Sequence, residues 1–150
     1  MPRTKTIMLD IKRGGIMRID GTVSSTDTWI PGRVAEIGTS GEIQAPTTDT
    51  YVKGFIVEGK KSGDSQTKVA LIIDPVVFTP FTGSADDFGS GASYNSIASG
   101  ITFSHGEAIY IQGTTGALTN TGDGAKVGSF LAGYYDANAS TVYGNIKNMS

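Results

Sequence analysis

The sequence has 150 residues, enough for one domain that buries roughly 70% of the surface its unfolded chain exposes. It contains no cysteine, which excludes disulfides and thiolate metal sites, and no apolar run that suggests a signal peptide or a transmembrane helix. The 21 glycines, the many Thr and Ser residues and the scarcity of Leu, Lys and Glu favour an all-β fold.

The net charge of −2 is unevenly distributed. Residues 1–20 hold five basic side chains against two acidic ones, a local charge of +3, so the rest of the chain carries −5. The five basic residues are Arg3, Lys5, Lys12, Arg13 and Arg18. Between Lys68 and Lys126 there is no Lys or Arg. A basic arm on an acidic body predicts contact with an acidic surface, such as that of a neighbouring subunit, and a solvated N-terminus is the equal alternative.

Residues 1–22 are interpreted as this N-terminal arm, ahead of a single β domain at 23–150. Ile7, Leu9 and Ile11 alternate with Met8 and Asp10, the pattern of a half-buried strand, and Asp20-Gly21 is a turn signal. The arm is therefore predicted either as a hairpin or as an extended strand that pairs with the sheet of a partner.

The β domain contains an internal repeat, with repeat 1 at 28–73 and repeat 2 at 101–147. Each copy has an aromatic residue, a Gly, two alternating apolar residues, a Gly turn and the motif V-x-x-F. The aligned pairs include Trp29 with Phe103 and Gly32 with Gly106 at an offset of 74, then Gly41 with Gly116 and Phe55 with Phe130 at an offset of 75. We expect an internally duplicated strand-turn-strand-hairpin unit in which "KVALII" at 68–73, apolar on both faces, is a central strand.

The insertion loop at 74–100 separates the two copies. Pro75 and Pro80 cannot donate to a ladder, so this stretch is predicted as an edge or extended segment. Its glycine-rich remainder is predicted to pack on the body or on a neighbouring subunit through Phe78, Phe81, Phe88 and Tyr94.

Candidate chemical groups are few. His105, the single histidine, lies at a predicted surface turn without a suitably spaced nucleophile, which disfavours an enzyme. The adjacent Asp86 and Asp87, with Asp123, form the best calcium candidate, although neighbours on an extended backbone point to opposite sides. The arm has no aromatic residue between its basic residues, so we expect no specific nucleic-acid binding, and no cofactor or metal is predicted.

The runs "PGRVAEIGTSGEIQA" followed by "VKGFIVEGKKSGDSQTKVALII", and their echo "GEAIYIQGTTGALTN" followed by "VGSFLAGYYDANASTVYGNI", resemble head decoration (capsid cement) proteins of tailed bacteriophages. The shared pattern is a glycine, a short strand, a glycine turn, a second short strand and an apolar strand that enters a hairpin. Many such proteins carry the unit once. The resemblance covers about two thirds of the chain. It implies a compact β-barrel or β-sandwich-like (β-tulip-like) domain with an extended N-terminal arm.

The resemblance further implies a non-enzymatic protein of the virion, made in the host cytoplasm, which binds the major capsid protein on the outer capsid surface and stabilises the shell as a homotrimer. No membrane is involved. The candidate partner-binding residues are Arg3, Lys5, Lys12, Arg13, Arg18, Phe78, Phe81, Phe88, Tyr94, Tyr134 and Tyr135. The alternative is another virion spike, fibre or carbohydrate-binding β module, in which Trp29, Tyr134 and Tyr135 would stack on a sugar. Since Trp29 aligns with Phe103, an apolar plug at equivalent positions is the favoured interpretation of Trp29.

Overall fold

The fold is seen in a computed structural model that describes residues 7–47, 50–122, 125–134 and 139–146. The strands are β1 (Asp10–Gly14), β2 (Arg18–Thr22), β3 (Val34–Ile37), β4 (Ile43–Gln44), β5 (Lys53–Ile56), β6 (Lys68–Ile72), β7 (Val76–Thr79), β8 (Ala108–Ile111), β9 (Leu118–Thr119), β10 (Gly128–Ala132) and β11 (Ser140–Gly144). They form a five-stranded sheet of order β2-β6-β5-β3-β4 and a six-stranded sheet of order β1-β7-β11-β10-β8-β9. The predicted all-β, sandwich-like fold is confirmed.

The two sheets repeat one pairing plan. Replacing β2, β6, β5, β3 and β4 by β7, β11, β10, β8 and β9 converts the order of the first sheet into that of the second without its additional edge strand β1, and every one of these pairs is antiparallel. The duplicated unit is therefore longer than repeats 28–73 and 101–147, because it begins at β2 and β7. The sequences of these two strands, RIDGT and VVFT, share no pattern that reveals their equivalence.

Hydrogen-bond register refines the alignment at one place. The Ile56 amide donates to the Arg33 carbonyl at 2.9 Å, and the Phe130 amide donates to the Glu107 carbonyl at 3.0 Å. The offset in β5 and β10 is therefore 74, so Phe130 corresponds to Ile56 and not to Phe55. Phe55 corresponds to Ser129, each paired with the matching residue of β3 or β8.

The two sheets are nested. On the outer face of the first sheet, the cross-strand row Val34, Phe55 and Ile72 is buried in one cluster with the inner row of the second sheet, Phe78, Val142 and Phe130. The other face of the first sheet, including Ile56 and Leu71, forms a separate cluster. Copy 1 thus uses both faces of its sheet, and this explains why "KVALII" forms a central strand, as predicted.

The first sheet is curled. Its edge strands meet where the Thr22 amide donates to the Gly41 carbonyl at 2.8 Å. Trp29 packs against the cluster inside this curl, while Phe103 stacks on Phe130 in the second copy with ring centroids 5.3 Å apart. Each aromatic residue packs against a buried cluster of its own sheet, as the alignment of Trp29 with Phe103 predicts.

The described part of the N-terminal segment is not a free arm, and the predicted hairpin is wrong. Strand β1 pairs with β7 in one sheet and β2 pairs with β6 in the other. Ile7 and Leu9 are buried. Strand β1 pairs with β7 on one side and lies at the edge of the six-stranded sheet, so the alternative of pairing with a partner's sheet stays a prediction. Burial of Ile7 and Leu9 anchors the segment to the core.

The segment at 74–100 also differs from its prediction. Strand β7 is an interior strand between β1 and β11, not the predicted edge or extended segment. Pro75 and Pro80 flank β7 and do not lie within it, so they do not interrupt its ladders. The insertion proper is residues 80–100, here called the insert. It contains a 3₁₀ turn, Ala92–Tyr94, and packs on the body through the buried Phe88.

Candidate interaction surfaces

Two predicted contact residues lie in the core. Phe78 is 0% exposed and Phe88 is 6% exposed, so neither can contact a partner. Phe78 faces Phe55 with ring centroids 5.2 Å apart, and Phe88 packs with Phe81 and Tyr94. Phe81, Phe88 and Tyr94 hold the insert to the body, which is one of the two packings predicted for this segment. The partner-binding prediction for Phe78 and Phe88 is wrong, because a glycine-rich sequence gives no sign of the inward direction of its rings.

The remaining predicted contact residues are divided between the surface and the undescribed segments. Arg3, Lys5 and Tyr135 lie outside the described residues. Phe81 and Tyr94 are half-buried within the insert, whereas Tyr134 is exposed.

The basic side chains of the described N-terminal strands are exposed. Lys12 forms a surface ion pair with Asp10 at 3.2 Å on β1, where the ladder is irregular between Ile11 and Arg13. Charges and a bulge protect a sheet edge from pairing with another chain. Arg18 on β2 donates from Nε to the Gly15 carbonyl at 3.2 Å. The cations are therefore displayed on ordered backbone.

The outer face of the six-stranded sheet is a continuous row across five strands. It is formed by Arg13, Val77, Tyr143, Ser129 and Ala108, each the cross-strand partner of the next. Arg13 and Tyr143 are exposed and the other three are half-buried. We call this row the outer face.

The outer face has a buried counterpart in copy 1. Val34, Phe55 and Ile72 take the places of Ala108, Ser129 and Tyr143, and they are covered by the second sheet. The two equivalent faces therefore differ in their surroundings. The face in copy 1 is covered by a sheet, whereas no sheet among the described residues covers the outer face.

A second exposed apolar feature is the turn between β1 and β2, residues 15–17, here called the tip. Ile16 is 87% exposed and Met17 is 60% exposed. The amides of Ile16 and Met17 each donate to the Asp74 carboxylate at 3.1 Å. The Gly15 amide donates to the Pro75 carbonyl at 3.0 Å, and the Met17 carbonyl accepts from the Ile73 amide at 3.0 Å. The tip is thus a fixed apolar projection, which the sequence analysis missed.

The insert borders a groove of about 260 Å³. Phe81, Ile97 and Ile101 supply its apolar lining, with Pro80, Ala98 and Ser99 beside them. A groove of this size is smaller than the ~300–1,000 Å³ pockets that hold drug-sized ligands. It has room for aliphatic side chains.

Two polar residues fix the insert to the body, the buried Ser96 and the half-buried Arg33. Ser96, 0% exposed, donates from Oγ to the Pro31 carbonyl at 2.8 Å and accepts from the Phe81 amide at 2.7 Å. Arg33 donates to the carbonyls of Asn95 at 2.8 Å and Ser93 at 3.1 Å. Desolvation lowers the pKa of the Arg33 guanidinium, which nevertheless stays charged at physiological pH. The groove therefore has a well-supported wall.

Lys60 is a further buried polar residue. Its ammonium is 0% exposed and donates to the carbonyls of Ser25 at 3.2 Å, Asp27 at 3.2 Å and Lys61 at 3.1 Å. Three acceptors match the three protons of an ammonium group. This side chain joins the β2–β3 connection to the β5–β6 hairpin and has a structural role.

The chemical candidates lie on the surface of the body. His105 is in an exposed turn, and its Nδ1 accepts a hydrogen bond from the Ala132 amide at 3.1 Å. Asp87 accepts from the Ser84 hydroxyl at 3.1 Å beside the exposed Asp86, while Asp123 lies outside the described residues. Within the described ranges no three His, Cys, Asp or Glu residues are grouped as metal ligands.

The sugar-stacking alternative finds no support at Trp29. Its ring packs in the curl of the first sheet, and its Nε1 donates to the Asp27 carboxylate at 3.3 Å. Tyr134 is exposed, but Tyr135 cannot be placed beside it. A ring that packs inside the fold does not offer its face to a sugar.

No helix in the described part of the chain has the length and apolarity needed to cross a membrane. Comparison of the chain with protein families, curated proteins and solved structures found no match.

Proposed function

We propose that this chain is a non-enzymatic structural protein of a virion, which binds the outer surface of a phage capsid as a homotrimer and stabilises the shell. The outer face carries the proposal, because it presents an exposed Tyr and an exposed Arg on rigid strands. Tyr and Arg are the residue types most often responsible for binding energy at interfaces, where they act as anchors in a desolvated patch. The sequence resemblance to capsid decoration proteins gives the class of partner.

The construction of the fold supports this role. In copy 1, the face that is equivalent to the outer face is covered by a β-sheet. The outer face has the same construction, so it is suited to contact another protein surface. Its backbone is fixed by ladders on both sides of β7, β11 and β10. A preordered surface loses little conformational entropy on binding.

Cosedimentation with capsids assembled from the major capsid protein of the same virion tests the proposal. Wild-type protein is expected to pellet with the shells at a fixed saturating ratio. Tyr143→Ser is expected to weaken binding by about 30-fold, the equivalent of a 2 kcal/mol hot spot. Arg13→Glu is expected to weaken it and to change its salt dependence.

Two matched controls are available in copy 1. Val52 has 37% exposure, against 36% for Tyr143, so Val52→Ser removes a similarly exposed apolar residue elsewhere. Lys61→Glu reverses an exposed cation outside the outer face. Both controls are expected to bind as wild type does. Equal binding by Tyr143→Ser and Val52→Ser would show that the outer face does not contact the capsid. Wild-type protein that stays in the supernatant would refute capsid binding.

A further inference from the structure

We infer that the tip of one protein molecule inserts into the groove of a second molecule of the same chain, so that the chain associates with itself head to tail. The inference rests on the homotrimer of the proposed function and supplies its contact. The tip presents Ile16 and Met17, exposed by 87% and 60%, without apolar cover from the described chain. An exposed apolar pair on a fixed turn is typical of an interface anchor.

The two surfaces fit each other in size. The groove of about 260 Å³ has the half-buried Phe81, Ile97 and Ile101 in its lining, beside the polar Thr82, Asn95 and Ser99. The tip offers two unbranched or β-branched aliphatic side chains of the kind such a groove can hold. Four hydrogen bonds to Asp74, Pro75 and Ile73 hold the tip in place before contact. Preorganisation of this kind favours association because little order is lost.

The charges of the two neighbouring segments favour a second molecule of this chain as the occupant. The exposed Arg18 follows the tip in a segment whose local charge is +3. The lining of the groove is uncharged, and the insert that borders it contains Asp86 and Asp87 and no Lys or Arg. Arg33 also reaches the insert, but its guanidinium is engaged by backbone carbonyls. Opposite charge steers and orients association.

Geometry excludes this contact within one chain. The tip is bonded to Asp74 and Pro75 at the start of β7, and the groove begins at Pro80 at the end of β7. Six residues of extended strand separate these points by about 20 Å at ~3.3 Å per residue. A tip and a groove at opposite ends of one strand can meet only between copies. Such a contact is heterologous, and it closes into a ring when the rotation per copy permits.

The test measures the mass of the free protein in solution by light scattering and sedimentation, without shells. Wild type is expected to form a concentration-dependent trimer. Replacing both Ile16→Ser and Met17→Ser, the tip variant, is expected to give a monomer with an unchanged circular dichroism spectrum. Ser99 is exposed on the groove wall, so Ser99→Trp, the groove variant, is expected to fill the groove and also give a monomer. Met8→Ser, which removes a side chain with 46% exposure elsewhere, is the control and should remain trimeric.

A mixture of the two variants tests the head-to-tail geometry. The tip variant keeps an intact groove and the groove variant keeps an intact tip, so an equimolar mixture is expected to form a one-to-one dimer and no ring. Charge provides a second check, since Arg18→Glu should weaken the trimer and Asp86→Lys in the same chain should restore part of it. Asp74→Ala should weaken association by loosening the tip, and Asp74→Asn should weaken it less.

A wild type that stays monomeric up to its solubility limit, or a tip variant with the mass of wild type, would overturn the inference. A mixture that contains monomers alone would also overturn it. Shell binding is a separate readout. If the monomeric tip variant still pellets with shells, capsid binding does not require the trimer. If the wild type forms a trimer but fails to pellet, the contact between tip and groove is supported and capsid binding is refuted.

Discussion

Substitution of Gly144 by Ala probes the nesting of the two copies. A Cβ at this position would lie 2.4 Å from Cε2, 2.7 Å from Cζ and 3.1 Å from Cδ2 of the Phe55 ring. Carbon atoms in contact normally lie about 3.5–4.0 Å apart, so the ring or β11 must move by roughly 1 Å. Phe55 is 1% exposed and packs against Phe78, which leaves it no vacant space. Overpacking of this kind destabilises a protein by about 1–3 kcal/mol.

Urea unfolding at neutral pH, followed by tryptophan fluorescence, measures this free energy of unfolding. Thermal unfolding should show a decrease in Tm of about 2–4 °C per kcal/mol for a chain of this length. Gly113→Ala is the matched control, because no atom lies within 4 Å of its Cβ position and its φ is not positive. The control is expected to stay within about 0.5 kcal/mol of wild type. Equal urea midpoints for Gly144→Ala and Gly113→Ala would refute the nested packing.

Two further substitutions test the buried polar residues. Lys60→Met removes an ammonium that satisfies three carbonyls and is expected to destabilise the protein by about 2–4 kcal/mol in urea unfolding, whereas Lys61→Met, exposed and adjacent, should change it by less than about 0.5 kcal/mol. Equal effects would contradict the structural role of Lys60. Ser96→Ala leaves the Phe81 amide and the Pro31 carbonyl without their partner and is expected to cost about 2–3 kcal/mol, with faster hydrogen exchange across the insert. Ser99→Ala, on the exposed groove wall, should leave exchange unchanged, and unaltered exchange in both variants would show that Ser96 does not hold the insert.

The sequence was informative where side-chain pattern and backbone plan agree. Glycine turns and alternating apolar residues predicted the all-β fold, the duplicated unit and the central strand at 68–72. Gly41 and Gly116 have φ values of 80° and 70°, conformations that L residues rarely adopt, so their recurrence in both copies has a backbone cause. Such constraints can be read from one sequence.

Pairing between distant strands was not predictable in the same way. Strands β2 and β7 occupy equivalent positions, but Arg18 and Ile19 on one correspond to Val77 and Phe78 on the other. Backbone hydrogen bonds depend little on side-chain identity, so the ladder persists while the sequence diverges. The N-terminal hairpin prediction failed for a related reason, since a turn signal does not specify to which sheet each strand belongs.

The candidate surfaces were the least predictable part. Phe78 and Phe88 were expected at an interface and lie in the core, whereas Ile16 and Met17 were not among the predicted contact residues and are exposed. The exposure of the tip depends on Asp74, which lies 57 positions from Met17 in sequence. The exposure of the outer face also depends on distant parts of the fold. Ser129 and Tyr143 lie on an uncovered face because no further sheet among the described residues packs on the second sheet, whereas the equivalent residues of copy 1 are covered.

The thermal stability of the shell tests the central claim most directly. Capsids assembled without this protein are heated with and without a saturating amount of the purified chain, and the disruption temperature is followed by light scattering and dye access to packaged DNA. If the protein binds the intact shell and not its separated subunits, binding stabilises the intact shell relative to the separated subunits, and the disruption temperature must rise. We predict a higher disruption temperature that saturates at the stoichiometry found by cosedimentation. An unchanged disruption temperature at saturating protein would contradict the account.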